Sequence, residues 1–256
     1  MEKRLNSRSR SRLTSNEQTA GNRPYHATLY KGELDMKKLR IINQIHEGGV
    51  VAVLRGDSPE EVVEMAKQSI AGGIKIIEVT LTVPFALRAI EKLAAEYSSS
   101  APADSDKYAV IGAGTVLDPE TARAAILSGS EFIVGPSLNP ETVKLCNRYR
   151  VPIMPGVMTA KEIQEALDLG VDVVKLFPGN LYSPSMIKAF KGPLPQANVM
   201  PTGGVNLENL KDWIKAGAFA VGIGSDLTTD AIREKDYSLV AKKSAQYIEA
   251  FKAAIK

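Results

Sequence analysis

VDVVKLFPG, residues 171–179, places a lysine in the middle of an otherwise apolar run. Val171, Val173, Val174, Leu176 and Phe177 read as a short, fully buried strand, closed by Pro178 and Gly179. A lysine is almost never fully buried without a partner, because taking an ammonium out of water is costly. Buried lysines in general escape that cost by losing the proton, and a neutral amine in an apolar slot is the nucleophile of imine chemistry. Taken alone, Lys175 also fits a plainer assignment: an edge strand whose lysine snorkels its head group to water. The surrounding sequence has to decide.

From Met36 onward the same strand-like pattern keeps returning. The candidates are VVAVLR (50–55), IKIIEVT (74–80), YAVIGAG (108–114), EFIVGP (131–136) and VPIMPG (151–156), followed by DVVKLF (172–177), NVMPTGG (198–204) and AVGIGS (220–225). Between them lie amphipathic helical patterns: PEEVVEMAKQSIAGG (59–73), PETARAAILSG (119–129), PETVKLCNRY (140–149) and TAKEIQEALDLG (159–170). Several open on Pro or Thr and close on Gly, as helix ends prefer. The spacing, about 20–25 residues, is that of successive βα units. SSSAPADSD (98–106) interrupts it and reads as a surface insertion.

Eight near-continuously apolar strands alternating with helices predict a parallel sheet covered by helices. At this length the expected architecture is a closed (β/α)8 TIM barrel forming a single domain over residues 36–256. An open doubly wound sheet is the alternative, but no G-x-G-x-x-G follows the first strand. LRIINQIHEGG (39–49) is predicted to cover the barrel bottom as an extra N-terminal helix, and SLVAKKSAQYIEAFKAAIK (238–256) to close the chain.

Charge is distributed unevenly. Residues 1–35 hold seven Lys/Arg and four Asp/Glu, and the whole chain 32 against 29, so the body is balanced at 25 against 25. Nothing in that body asks for nucleic acid or an anionic membrane. The leader is polar, Ser/Arg-rich and without apolar periodicity, which reads as disorder or an upstream extension of a chain starting at Met36; Glu2 and Glu17 suit a transit peptide poorly. Cys146 is the sole cysteine, which points to a reducing, cytoplasmic setting. With only His26 and His46 available, a histidine-built zinc site is not expected. No apolar run reaches the roughly 18 residues of a membrane span.

In a barrel, chemistry collects at the C-terminal ends of the strands. The residues there are Arg55, Glu78, Thr80, Thr115, Pro136, Lys175, Phe177, Thr202, Gly203, Gly204, Gly224 and Ser225. Glu78 shares a strand face with Ile76 and Thr80 and is the natural companion for an inward Lys175. The pair could be purely structural, but a buried ion pair is weak support for stability, and proton traffic explains it better. PTGG (201–204) and GIGS (222–225) end the last two strands. Glycine loops ahead of helix starts, at these two positions, suit a phosphorylated ligand.

IIEVTLT with Glu78, GAGTV with Thr115, PGVMT, VKLFPG with Lys175, and PTGGVN with Gly203 and Gly204 together resemble the class I 2-keto-3-deoxy-6-phosphogluconate (KDPG) aldolases. These are also bifunctional with 4-hydroxy-2-oxoglutarate (KHG) aldolase. The resemblance runs from Met36 to the last helix. It implies a metal-independent carbon–carbon lyase without cofactor, commonly homotrimeric, in Entner–Doudoroff-type carbohydrate breakdown. It implies that Lys175 forms an imine with C2 of a 2-keto acid and that Glu78 moves the proton of the C4 hydroxyl. Thr115 would hold the pyruvyl carboxylate, Phe177 would wall the imine pocket, and Gly203, Gly204 and Ser225, with Gly224, would hold the distal phosphate. Thr80, Pro136 and Thr202 complete the expected pocket.

One departure stands out. Many members carry a carboxylate-binding arginine where this chain has Thr82. Arg55, ending the first strand, is the arginine placed to replace it. Two rivals share most of these features: an aldolase for the 6-phosphogalactonate stereoisomer, and a phosphate-binding barrel that is no aldolase.

Overall fold

Side chains alternate between the two faces of a strand, and here that alternation separates two apolar layers. The computed structural model describes residues 36–99, 101–103 and 105–256; the leader 1–35 lies outside the described residues. In chain order come α1 (Lys37–Gly48), β1 (Val50–Leu54), α2 (Pro59–Ala71), β2 (Ile76–Thr80), α3 (Ala86–Leu93) and β3 (Val110–Gly114). Then follow α4 (Pro119–Leu127), β4 (Phe132–Val134), α5 (Pro140–Tyr149), β5 (Ile153–Met154), β6 (Gly156–Val157), α6 (Ala160–Asp168) and β7 (Val174–Leu176). The chain ends through α7 (Ser185–Lys191), β8 (Val199–Pro201), α8 (Leu210–Lys215), β9 (Val221–Ile223), α9 (Ser225–Glu234) and α10 (Ser238–Ala254).

The helix starts expected from Pro and Thr are real. Ser58, Asp118 and Asn139 accept hydrogen bonds from the first-turn amides of α2, α4 and α5, each with a proline just inside. Thr159 and Glu162 form a reciprocal capping box at α6. Such caps satisfy amides that no intrahelical carbonyl can reach, at about 1 kcal/mol each.

All strand pairs are parallel, in a curled α/β arrangement. One sheet has the order β5-β4-β3-β2-β1-β9 and the other β6-β7-β8. The order is sequential, without the reversal of a doubly wound sheet. VPIMPG, expected as one strand, is two: Ile153 and Met154 pair with β4, while Gly156 and Val157 pair with β7. Pro155 between them has no N–H to give a ladder, and its carbonyl accepts from Lys175 N at 2.9 Å. The sheets also approach at β8 and β9, through an isolated parallel bridge between Thr202 and Gly222.

The outer layer, facing the helices, takes Val50, Ala52 and Leu54 of β1, Ile77 and Val79 of β2, and Val174 and Leu176 of β7. The inner layer takes Val51, Val53, Ile76, Val110, Phe132, Val134, Met154 and Met200. Ile41 and Ile45 of α1 join it, so this helix covers the N-terminal ends of the strands as anticipated. By the same alternation Glu78 and Lys175 belong to the inner face. The described residues between 99 and 106 are turns and bends ahead of β3, where Ser105 N donates to Pro102 O at 3.0 Å. No helix among the described residues is long and apolar enough to cross a membrane.

Cys146 tests this packing. It is fully buried on the inward face of α5, and that burial pushes its thiol up to about 12. Iodoacetamide at pH 8 is expected to leave it unmodified in the native protein and to label it fully in denaturant, read by intact mass; rapid native labelling would contradict the packing of this helix.

Candidate active site

Lys175 Nζ lies 3.9 Å from Glu78 Oε1, with the two side chains 3% and 0% exposed. That distance is too long for a direct hydrogen bond, and both Glu78 oxygens are buried without a hydrogen-bond partner among the described residues. A carboxylate held this way is costly in a purely structural role. A single oxygen about 2.8 Å from each group would touch both.

Room for the carboxylate comes from glycine. Gly114, across from Thr80 in the β2–β3 ladder, is placed so that a Cβ on it would come within 1.9 Å of Glu78 Oε1. The next residue, Thr115, has φ +59°, a left-handed conformation rare for a β-branched side chain. Strain of that kind costs roughly 1–3 kcal/mol and clusters at functional sites. On the other flank, Phe177 puts its ring centroid 4.8 Å from Lys175 Nζ.

Beyond Phe177 opens a cavity of about 420 Å³, lined also by Arg55, Thr202, Gly203, Gly204, Gly224 and Ser225. Gly203 and Gly204 have φ of +89° and +74°, conformations that require glycine. Asn209 Nδ2 pins this loop by donating to Gly204 O at 2.9 Å. Ser225 begins α9, whose start has no side-chain cap, leaving first-turn amides for an anion. Arg55 is exposed, and its Nη1 lies 3.4 Å from where a Cβ on Gly224 would stand.

These elements coincide with a known family. The sequence profile described as "Aldolase: KDPG and KHG aldolase" matches residues 41–243. The chain belongs to the KDPG/KHG aldolase family. It is 34% identical over 210 residues to the Escherichia coli 2-dehydro-3-deoxy-6-phosphogalactonate aldolase, covering 80% of this chain and 96% of that one. It is also 34% identical over 220 residues to the Pseudomonas aeruginosa 2-dehydro-3-deoxy-phosphogluconate aldolase, covering 85% and 96%. Among solved structures, a Legionella pneumophila KDPG aldolase superposes with a TM-score of 0.71 at 29% identity, over 80% of this chain and 96% of that one. That structure holds pyruvate as a covalent carbinolamine. Membership makes this chain an aldolase-type lyase.

The residues expected from sequence fall into two groups that share Phe177. Lys175, Glu78 and Phe177 meet on the inner face. Phe177, Arg55, Thr202, Gly203, Gly204, Gly224 and Ser225 meet around the cavity. Thr80, Thr115 and Pro136 do not line that cavity. Thr80 Oγ1 donates to Leu54 O at 3.1 Å and pairs with Thr82 Oγ1 at 2.9 Å, tying the ends of β1 and β2. Pro136 lies at the end of β4 with its carbonyl against Gly156, where a Cβ would come within 2.0 Å. The sequence reading missed Gly114 as a determinant of the site, although its strand parity with Gly112 in GAG was visible. It also missed Asp226, Asp230 and Lys243, which line the cavity from α9 and α10.

Gly114→Ala follows directly. The added methyl must push the Glu78 carboxylate aside. kcat/KM is expected to fall about 100-fold, as for a small misplacement of a catalytic group, with the far-ultraviolet circular dichroism unchanged. Retained activity would show that Glu78 has no fixed position to keep.

Proposed function

We propose that this chain is a class I aldolase cleaving 2-keto-3-deoxy-6-phosphogluconate to pyruvate and glyceraldehyde 3-phosphate, and 4-hydroxy-2-oxoglutarate to pyruvate and glyoxylate. The observation that carries the reading is the buried Lys175–Glu78 pair, 3.9 Å apart, beside a glycine-lined cavity.

The Lys175 amine attacks C2 of the keto acid, and the carbinolamine loses water to give an iminium. Glu78 takes the C4 hydroxyl proton, directly or through a water. The C3–C4 electron pair moves into the iminium as that bond breaks, releasing the aldehyde and leaving an enamine. Protonation at C3 and hydrolysis return pyruvate and the free amine. The iminium is the electron sink, so the route calls for neither metal nor cofactor. Phe177 walls the imine pocket, and the buried, unpartnered Thr202 hydroxyl is available to a substrate hydroxyl. Thr115 serves the pyruvyl carboxylate. Arg55 stands among the glycine loops, so we give it to the phosphate with Gly203, Gly204, Gly224 and Ser225, revising the carboxylate role read from sequence.

Continuity through Pro155 and the Thr202–Gly222 bridge support treating the two sheets as one closed (β/α)8 barrel in solution. Exposed Phe85, Leu117, Met158 and Leu181, all on connections after strands, suit contacts in a homotrimer. We place the enzyme in a reducing cytoplasm. The 6-phosphogalactonate stereoisomer is the second reading, because relatives named for each substrate stand at the same 34% identity.

Borohydride reduction in the presence of pyruvate is expected to leave a stable adduct on Lys175, located by peptide mass spectrometry. An unmodified Lys175 in protein that still turns over would sink the mechanism. Ser225→Asp, which sets a carboxylate against the phosphate, is expected to raise KM at least tenfold for both phosphorylated stereoisomers and far less for 4-hydroxy-2-oxoglutarate. Relative kcat/KM on the two stereoisomers separates the two readings.

A further inference from the structure

The cavity beside the glycine loops carries charges that the reaction above does not use. Asp226 follows Ser225 in the first turn of α9, and Asp230 lies one turn on; both line the cavity. An ionised carboxylate next to a phosphate site is the wrong sign for the ligand, because like charges at short range repel. Asp230 is engaged by Arg233 at 2.7 Å. Asp226 is engaged from the last helix. Lys243 Nζ lies 3.2 Å from Asp226 Oδ2, and Tyr247 Oη donates a hydrogen bond to the same oxygen.

Lys243 and Tyr247 stand four residues apart, on one face of α10. Tyr247 is fully buried; that burial, and then its bond to Asp226, raise its phenol pKa, so it keeps the proton it donates. Lys243 is different. Its side chain is 25% exposed and it lines the cavity. An ammonium has three N–H donors, and Asp226 occupies one side of it.

We propose that Lys243 is a specificity-determining residue for phosphorylated substrates, screening Asp226 and offering its free N–H donors to the phosphate monoester. The inference rests on the reading of the glycine loops as the phosphate site. It adds a cation from the C-terminal helix to that site and explains how a carboxylate is tolerated there. Removing Lys243 deletes an attraction and unmasks a repulsion at once. Removing Asp226 as well restores part of the loss, which a lysine acting only to dock α10 would not do.

The test uses glycerol 3-phosphate, a phosphomonoester without a keto group, titrated calorimetrically at fixed ionic strength. Lys243→Met is expected to weaken its binding about tenfold, Lys243→Arg to retain it, and Lys243→Met with Asp226→Asn to recover part of the loss. In turnover, the kcat/KM ratio of 2-keto-3-deoxy-6-phosphogluconate to 4-hydroxy-2-oxoglutarate is expected to fall about tenfold in Lys243→Met, through KM. Wild-type protein that does not bind glycerol 3-phosphate, unchanged affinity in Lys243→Met, no recovery in the double variant, or an equal loss on both substrates would each overturn the proposal. Lys243-dependent binding in a protein that forms no pyruvate adduct would remove the aldolase reading and leave this one standing.

Discussion

The rest of the structure accommodates an amine and a carboxylate 3.9 Å apart, both shut away from water. The effective cost of taking each ion into a protein interior is several kcal/mol, and mutual attraction repays it fully only with good geometry and further hydrogen bonds. Here the further bonds are missing: Glu78 accepts none from any described residue. A pair that stabilised the fold would be arranged otherwise. This one is held together by its surroundings, with both members on the inner face of the curled sheet and apolar layers on either side.

Those surroundings divide the molecule by height along the strands. At the N-terminal ends, α1 inserts Ile41 and Ile45 among Val51, Ile76, Val110 and Phe132, and the interior is continuous hydrocarbon. Toward the C-terminal ends the inner positions turn polar: Glu78, Thr80, Lys175 and Thr202. Phe177 is the hinge of this division. It faces Lys175 on one side and the cavity of the glycine loops on the other. The path from the buried pair to the start of α9 therefore crosses one aromatic wall.

Much of this was legible in the sequence because it is written in local code. Parity along IKIIEVT put Glu78 on one face with Ile76, and the Pro and Thr helix starts gave caps that the structure realises. The glycines of PTGG marked a loop after the strand, and Gly203 and Gly204 there take the positive φ that glycine allows. What stayed hidden depends on contacts between segments far apart in the chain. VPIMPG has the composition of one strand, and its division at Pro155 is set by which neighbours each half meets. Arg55 is read as a carboxylate ligand because Thr82 leaves that post empty; its nearness to Gly224 depends on β1 lying beside β9, a pairing that no local pattern announces. Lys243 sits in an ordinary amphipathic helix, where no periodicity distinguishes a cavity lysine from a solvated one.

The crowded inner face also explains residues poorly suited to strands. Glycine in a strand interior weakens it by roughly 0.5–1 kcal/mol relative to alanine. Even so, Gly112 and Gly114 occupy alternate positions of β3, and Gly222 the centre of β9. Each sits where a methyl group would strike a side chain: the Phe132 ring at Gly112, the Glu78 carboxylate at Gly114, and the Thr202 hydroxyl at Gly222. Two of those three side chains are polar groups without a hydrogen-bond partner among the described residues. Gly114 and Gly222 therefore give up strand stability beside unpartnered oxygens of the inner layer, and Gly112 does so beside the Phe132 ring. A fold selected for packing alone would fill these positions with alanine or valine. The cost of these buried, unpartnered groups is thus spread over neighbouring strand residues, and it shows in the strands as missing side chains.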